Sequence, residues 1–301
     1  MARPNLTAIK IGRLTVFLGD HELVGPLLPE GAVELTKELL LERGHLRPWM
    51  LRFYEKPSRR AWLERTGDRF SPGQTVRVGL RKRFMDDELR AAIEAGATQV
   101  LAIGAGYDTT CLRLAAQFED CRFFEIDQPG TLEDKRAGIE AIGRARPNLE
   151  LIAANLAKTP LAEVLAKTSW DAAALSVIVA EGVLMYLPAA AVAGFFEAAH
   201  GLCGPSSRLV FTYMICDEKG RPRVGNAAWL TRTSMKLMGH AWQWCVADED
   251  ALARFVAERG WRYEPDPERF DLAARYLVPL GRDDREHAAP LEFMAVVERG
   301  S

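Results

Sequence analysis

Apolar and polar positions divide the chain into two regimes. From about residue 97 onward, short apolar runs alternate with longer segments whose apolar positions recur at helical spacing. The pattern predicts strands over 99–103, 122–126, 149–153, 173–179, 208–213, 262–265 and 291–297. It predicts helices over 108–118, 129–144, 160–167, 188–201 and 248–259. Such alternation implies an α/β fold with a central, mostly parallel sheet covered by helices on both faces. Before residue 80 the pattern is different. Helices are predicted over 33–41 and 59–65, with a break at Ser71-Pro72-Gly73. A long helix over 76–96 then carries Val78, Leu80, Phe84, Met85, Leu89 and Ile93 at its apolar positions. The expected organisation is a helical cap over 1–80 and an α/β domain over 81–301.

Residues 172–196 are almost all apolar, long enough to suggest a membrane span. Glu181 and Pro188 interrupt the run, and Ser176 and Gly182 lie within it. A strand, a loop and the start of a helix explain it better, so no membrane partner is expected. The segment 217–246 breaks the alternation after the strand at 208–213. It opens charged, from Asp217 to Arg223, and continues with Trp229, Met235, Met238, His240, Trp242 and Trp244. In an open α/β sheet the ligand crevice lies at the C-terminal ends of the strands. An insertion there is placed to act as a lid, or simply to pack on the sheet.

Composition changes the picture little. A chain of 301 residues with a formal charge of -2 has no net positive field to gather phosphates, so nucleic acid is not an expected partner. The five cysteines are scattered without a C-x-x-C pair, and read as reduced thiols in a cytoplasmic protein. The first residues lack an unbroken apolar core, so no signal peptide is expected. No His/Asp/Glu cluster has metal-ligand spacing, so no metal is expected.

The candidate chemistry begins where the strand at 99–103 runs into Gly104-Ala105-Gly106-Tyr107-Asp108. About twenty residues on, the next strand ends in acid, with Glu125 and Asp127 on one side of it. A glycine turn followed by a strand-end carboxylate suits a ribose-bearing ligand. The third glycine of a dinucleotide fingerprint is replaced by Thr109. That glycine serves close packing around a pyrophosphate. S-adenosylmethionine has a ribose and an adenine but no pyrophosphate, and does not need it.

Four stretches then resemble, in order and spacing, the motif series of the leucine carboxyl methyltransferase family. They are Arg81-Lys82-Arg83-Phe84-Met85-Asp86-Asp87, Gly104 to Thr109, Phe124 to Pro129, and Glu181 to Pro188. The likeness covers roughly residues 75–215. It implies a Rossmann-like class I O-methyltransferase that uses S-adenosylmethionine. The expected acceptor is a carboxylate or hydroxyl of a small molecule, as in family members of polyketide-type secondary metabolism. By resemblance, Arg81 pairs with the methionine carboxylate of the donor, and Gly104 and Gly106 let the backbone approach it. Asp127 takes the ribose hydroxyls, with Glu125 as second choice. Asn155 stands where relatives often carry Asp at the adenine, Leu156 packs on the purine, and Glu181 meets the methionine part. Structural readings stand beside these: a solvated basic helix face for Arg81, a helix cap for Asp108 and a core ion pair for Glu181. Thr110 replaces an arginine common in bacterial relatives, and Arg113 follows one helical turn later.

A carboxylate acceptor is already ionised and needs no base, whereas a phenol or enol is helped by one. His240, in the insertion, is the candidate by location, ahead of His21, His45, His200 and His287. Tyr186 and Tyr213, at or after strand ends, are candidates for orienting the acceptor. Trp229, Trp242 and Trp244 form either an apolar wall or ordinary core. A protein's C-terminal carboxylate as acceptor, and a donor-binding module without turnover, are the alternatives. A nicotinamide oxidoreductase is a weaker one, since Thr109 replaces the glycine and no Tyr-x-x-x-Lys pattern occurs. The sequence leaves the oligomeric state open.

Overall fold

The computed structural model describes residues 3–70, 73–223, 242–282 and 292–300. Seven strands form one sheet: β1 Gln99–Ile103, β2 Arg122–Asp127, β3 Leu149–Ala153, β4 Ser176–Ala180, β5 Arg208–Tyr213, β6 Trp261–Tyr263 and β7 Phe293–Arg299. Their order is β3-β2-β1-β4-β5-β7-β6. The first five are parallel, and β7 runs antiparallel to both β5 and β6. Gln99 pairs with Arg122 on one side and Ser176 on the other, so the chain leaves β1 in one direction and returns through β4. That reversal is the topological switch point, where the crevice of a doubly wound sheet opens.

All five residues of β1 and of β4 are buried. Alternate strand residues feed opposite layers. Val100, Val177, Val179 and Val210 pack with Leu80, Phe84 and Leu89 of the long helix α5 Gln74–Glu94 on one face. Leu101, Ile178, Leu209 and Phe211 pack with Val192, Phe195 and Phe196 of α9 Ala189–Gly201 on the other. Burial of each such side chain contributes roughly 1.5–3 kcal/mol. The apolar run at 172–196 thus resolves into β4, a short turn and α9. Among the described residues no helix is long and apolar enough to cross a membrane.

Residues 6–70 hold four helices: α1 Leu6–Leu18, α2 Ala32–Glu42, α3 Pro48–Tyr54 and α4 Pro57–Phe70. The pattern predicted neither α1 nor α3. In α1, five of thirteen residues are β-branched and lean toward strand in isolation. Packing decides otherwise. The Asn5 side chain caps the helix by accepting from the Thr7 N–H at 2.8 Å. Gly12 lets α1 close on its neighbours, since a Cβ there would stand 3.1 Å from Leu40 and 3.3 Å from Tyr107. Ile9 and Val16 complete a third cluster with Leu39, Leu40, Tyr107 and Ile139. In the sheet region α6 Thr110–Ala115 follows β1, α7 Pro129–Ala141 follows β2, α8 Leu161–Leu165 follows β3, and α10 Glu249–Ala257 lies between β5 and β6.

One expectation is corrected. Cys216 and Cys245 form a disulfide with their Cα atoms 5.4 Å apart, while Cys111, Cys121 and Cys203 are free and buried. Parallel pairing of Ile215 with Val246 draws the two ends of the 217–246 insertion together, which a spacing of 29 residues did not reveal.

Candidate functional site

A cavity of about 1180 Å³ opens at the C-terminal ends of β1, β2, β3 and β4, with α1 as its roof. The glycine loop forms its base. Gly104 and Gly106 have φ of 68° and 52°, in the left-handed region that favours glycine. A Cβ on Gly104 would stand 2.9 Å from Val183, and one on Gly106 would stand 3.3 Å from Ala8 of α1. The loop therefore threads between the turn after β4 and the roof, where a side chain at either position would be crowded and its backbone strained.

The two acids of β2 have different roles. Asp127 ends the strand at the cavity, where its Oδ2 accepts the Gly106 N–H and its Oδ1 accepts the Gln128 N–H, each at 2.6 Å. Burial raises its pKa, and those two N–H groups pull the other way. Glu125 is buried at 1% exposure, and its Oε2 pairs with Lys135 Nζ at 2.5 Å. Lys135, from α7, also donates to the Asp108 carbonyl at 2.5 Å and so fixes the glycine loop from below. Glu125 lines the cavity floor, with its carboxylate engaged by the lysine. Asn155 and Leu156 follow β3 on the cavity wall. Asn155 Oδ1 accepts the Ala157 N–H at 3.0 Å, which holds the turn in place.

At the opposite end of the cavity, α5 brings in Arg81 and Lys82. Arg81 Nε donates to Glu181 Oε1 at 2.8 Å, and Nη1 donates to Glu292 Oε2. Lys82 Nζ donates to Asp108 Oδ2 at 2.6 Å and lies 3.4 Å from Glu181 Oε1. Burial by itself opposes the charge on both cations, but the facing carboxylates outweigh it and raise both pKa values. Asp108, for which burial alone would raise the pKa, is held well below the usual carboxylate range by Lys82 and by Thr110. The ion-pair reading of Glu181 describes a real contact; Asp108 stands one residue ahead of the cap position, Thr109, and its Oδ1 accepts the Thr110 N–H at 2.8 Å. Arg81 is not on a solvated face. Arg113 pairs with Asp86 at 2.8 Å and bonds Thr110 Oγ1 at 3.1 Å, tying α6 to α5 below the cavity.

The acceptor candidates separate. Tyr186 lines the cavity, and its hydroxyl bonds the Trp242 side chain. Gln243 donates from its backbone to the Met185 carbonyl at 2.7 Å and from its side chain to the Tyr186 carbonyl at 2.8 Å. Trp242 and Gln243 are thereby fixed on the wall. Tyr213 is corrected: it does not line the cavity. Strand alternation turns it into the α9 layer, 3% exposed, stacked on Phe293 at 5.5 Å. Burial raises its pKa to about 12. Trp244 is core as well. His240, Trp229 and His287 lie outside the described residues. His21 caps a turn through its Nδ1, His45 meets Asp134 and Tyr107, and His200 packs on Trp261. None of these three lines the cavity.

Glu292 and Lys135 escaped the sequence reading. Glu292 is a single acid ahead of the last strand, and no motif marks it. Lys135 sits ten residues from Glu125, too far in sequence to suggest a pair before the βα crossover is known.

Comparison with known proteins gives the class and then the family. A crystal structure of a provisionally named methyltransferase from Thermobifida fusca matches with a TM-score of 0.53 at 19% identity, covering 81% of this chain and 89% of that one. That likeness shows the fold, which is the Rossmann-like class I methyltransferase fold. A provisionally named S-adenosyl-L-methionine-dependent methyltransferase of Saccharopolyspora erythraea is 32% identical over 204 residues, 67% of this chain and 69% of that protein. One of Mycolicibacterium smegmatis is 29% identical over 226 residues, 73% of each. The profile of the family described as leucine carboxyl methyltransferase matches residues 36–200. The chain belongs to the leucine carboxyl methyltransferase family, and is an S-adenosylmethionine-dependent methyltransferase.

Proposed function

We propose that the chain transfers a methyl group to an oxygen, a carboxylate or a hydroxyl, of a small molecule. The observation that carries this reading is the roofed cavity of about 1180 Å³. Pockets for one small ligand run roughly 300–1,000 Å³, so this one has room for a nucleoside donor and a second molecule beside it. Its far wall is apolar, with Leu14, Met85, Met214, Leu272 and Met294, which suits an apolar acceptor.

The residues present fit the donor. Gly104 and Gly106 admit it to the backbone. Asp127 keeps a lone pair on each oxygen for the ribose hydroxyls. Asn155 and Leu156 suit the adenine edge and face, and the paired charges of Arg81 and Glu181 suit a zwitterionic amino-acid end. When bound, the donor supplies an electrophilic methyl on a sulfonium. The chain's own work is to align the acceptor oxygen and exclude water. The roof α1, Tyr186 and Trp242 are the groups in position for that. His240 remains the proposed base for a hydroxyl acceptor.

Incubation with methyl-labelled donor and a cell extract tests the reading. Label in the small-molecule fraction is expected. Label on protein instead points to a C-terminal carboxylate as acceptor, and donor binding without any label transfer points to a binding module.

A further inference from the structure

Glu292 stands immediately before β7 and reaches the cavity beside Arg81. Its Oε2 accepts from Arg81 Nη1, whereas its Oε1 is buried and has no hydrogen-bond partner among the described residues. A buried carboxylate oxygen without a donor is costly. The charges around it say what kind of donor is missing. Arg81 and Lys82 are the cations in contact at this corner, and Glu181, Asp108 and Glu292 are the carboxylates they face. Among these five groups carboxylates outnumber cations, while Arg77 and Lys10, which also line the cavity, have interactions of their own. Lys135 does not redress the balance, because it is held by Glu125. The unpartnered carboxylate oxygen calls for a hydrogen-bond donor, and its charge favours a cationic one.

The corner is also open at the right place. Gly182 has φ of 64°, and a Cβ there would lie 3.9 Å from Glu292 Oε1, 3.9 Å from Arg81 Nη1 and 4.0 Å from Arg81 Nη2. The unpartnered carboxylate oxygen and the outer edge of the guanidinium thus face one small space left by a glycine. Glu181 borders that space through the other side of Arg81.

We infer that Glu292 binds the α-ammonium of the donor's amino-acid end, sharing it with Glu181, while the outer edge of Arg81 takes the adjacent carboxylate. The inference rests on the donor-binding reading above and assigns a residue outside the four motifs. An ammonium has three N–H donors, enough to satisfy both carboxylates at once.

Titration calorimetry of the full chain and of E292Q separates the possibilities. Glutamine keeps the shape and an acceptor for Arg81 but removes the charge. Three probes are used: S-adenosylhomocysteine, 5′-deoxy-5′-methylthioadenosine without the amino-acid end, and 5′-S-(3-carboxypropyl)-5′-thioadenosine without the ammonium alone. E292Q is expected to weaken S-adenosylhomocysteine on the order of tenfold or more, as for a lost charge-assisted bond. It should change the other two by less than about twofold. Unchanged affinity for S-adenosylhomocysteine overturns the inference. So does an equal loss for all three probes, which marks a general disturbance of the pocket. Failure of the unaltered chain to bind any of them overturns the donor-binding reading itself, a result distinct from the other two.

Discussion

Asp127 Oδ2 accepts the Gly106 N–H at 2.6 Å, so the acid that ends β2 sets the position of the glycine loop that follows β1. One side chain serves both the loop and the expected ribose site. Asp127→Ala removes the acceptor for the Gly106 and Gln128 N–H groups and for the sugar. Affinity for S-adenosylhomocysteine is expected to fall on the order of tenfold to hundredfold, as for lost bonds to a charged group. Calorimetry checks it, and unaltered affinity contradicts the role.

The Lys135–Glu125 pair lies entirely inside the protein, with side chains 0% and 1% exposed. Lys135→Met strands a buried carboxylate and is expected to cost about 3–5 kcal/mol in urea unfolding. Replacing Glu125 by Leu in the same chain should recover much of the loss. Burial already raises the Glu125 pKa in the folded state, with Lys135 opposing it. Without the lysine, proton uptake favours the folded form more strongly, so the deficit should shrink as the pH falls from 8 toward 5. A deficit that is constant over that range contradicts this.

In the Lys82–Asp108 pair the carboxyl shift has the opposite sign, and the loss falls at lower pH. Although burial pushes the Asp108 carboxyl up, Lys82 and Thr110 hold it well below its ordinary value. Its stabilisation is then fully present above that ordinary value, near 3.9, and is lost as the pH falls through the lower folded-state value. Asp108→Asn should cost roughly 1–3 kcal/mol at pH 7, and less at pH 3. Urea unfolding at both values checks it, and an equal cost at both contradicts it.

The Cys216–Cys245 disulfide joins the two ends of the insertion beside Trp242 and Gln243. Thiol titration of the denatured chain without reductant should count the three free cysteines, Cys111, Cys121 and Cys203. Prior reduction should expose the other pair. All five reacting without reductant contradicts the bond.

Much of this was legible because buried parallel strands are short continuous apolar runs, and the motifs sit at their ends. β1 is predicted residue for residue, and β2 to within one residue. The edges were less clear. β6 and β7 are shifted by one or two residues, and β4 starts three residues later than predicted because the apolar run extends ahead of the strand. α1 was hidden because its helical state depends on packing against Tyr107 and Leu40, residues distant in sequence. The same holds for chemistry. Arg81, Glu181 and Asp127 are marked by motif, but their partner Glu292 and the pairing of Glu125 with Lys135 are created only by the crossovers. Tyr213 was misplaced because a strand-end residue faces the crevice or the core according to a parity that the run alone does not fix.

The most direct measurement is a crystal structure with S-adenosylhomocysteine bound. Density for the nucleoside is expected over the glycine loop, with the ribose on Asp127, the adenine between Asn155 and Leu156, and the amino-acid end among Arg81, Glu181 and Glu292. A ligand seated elsewhere, or the same cavity closed by α1 and Tyr186 with the ligand excluded, would contradict the donor site described here.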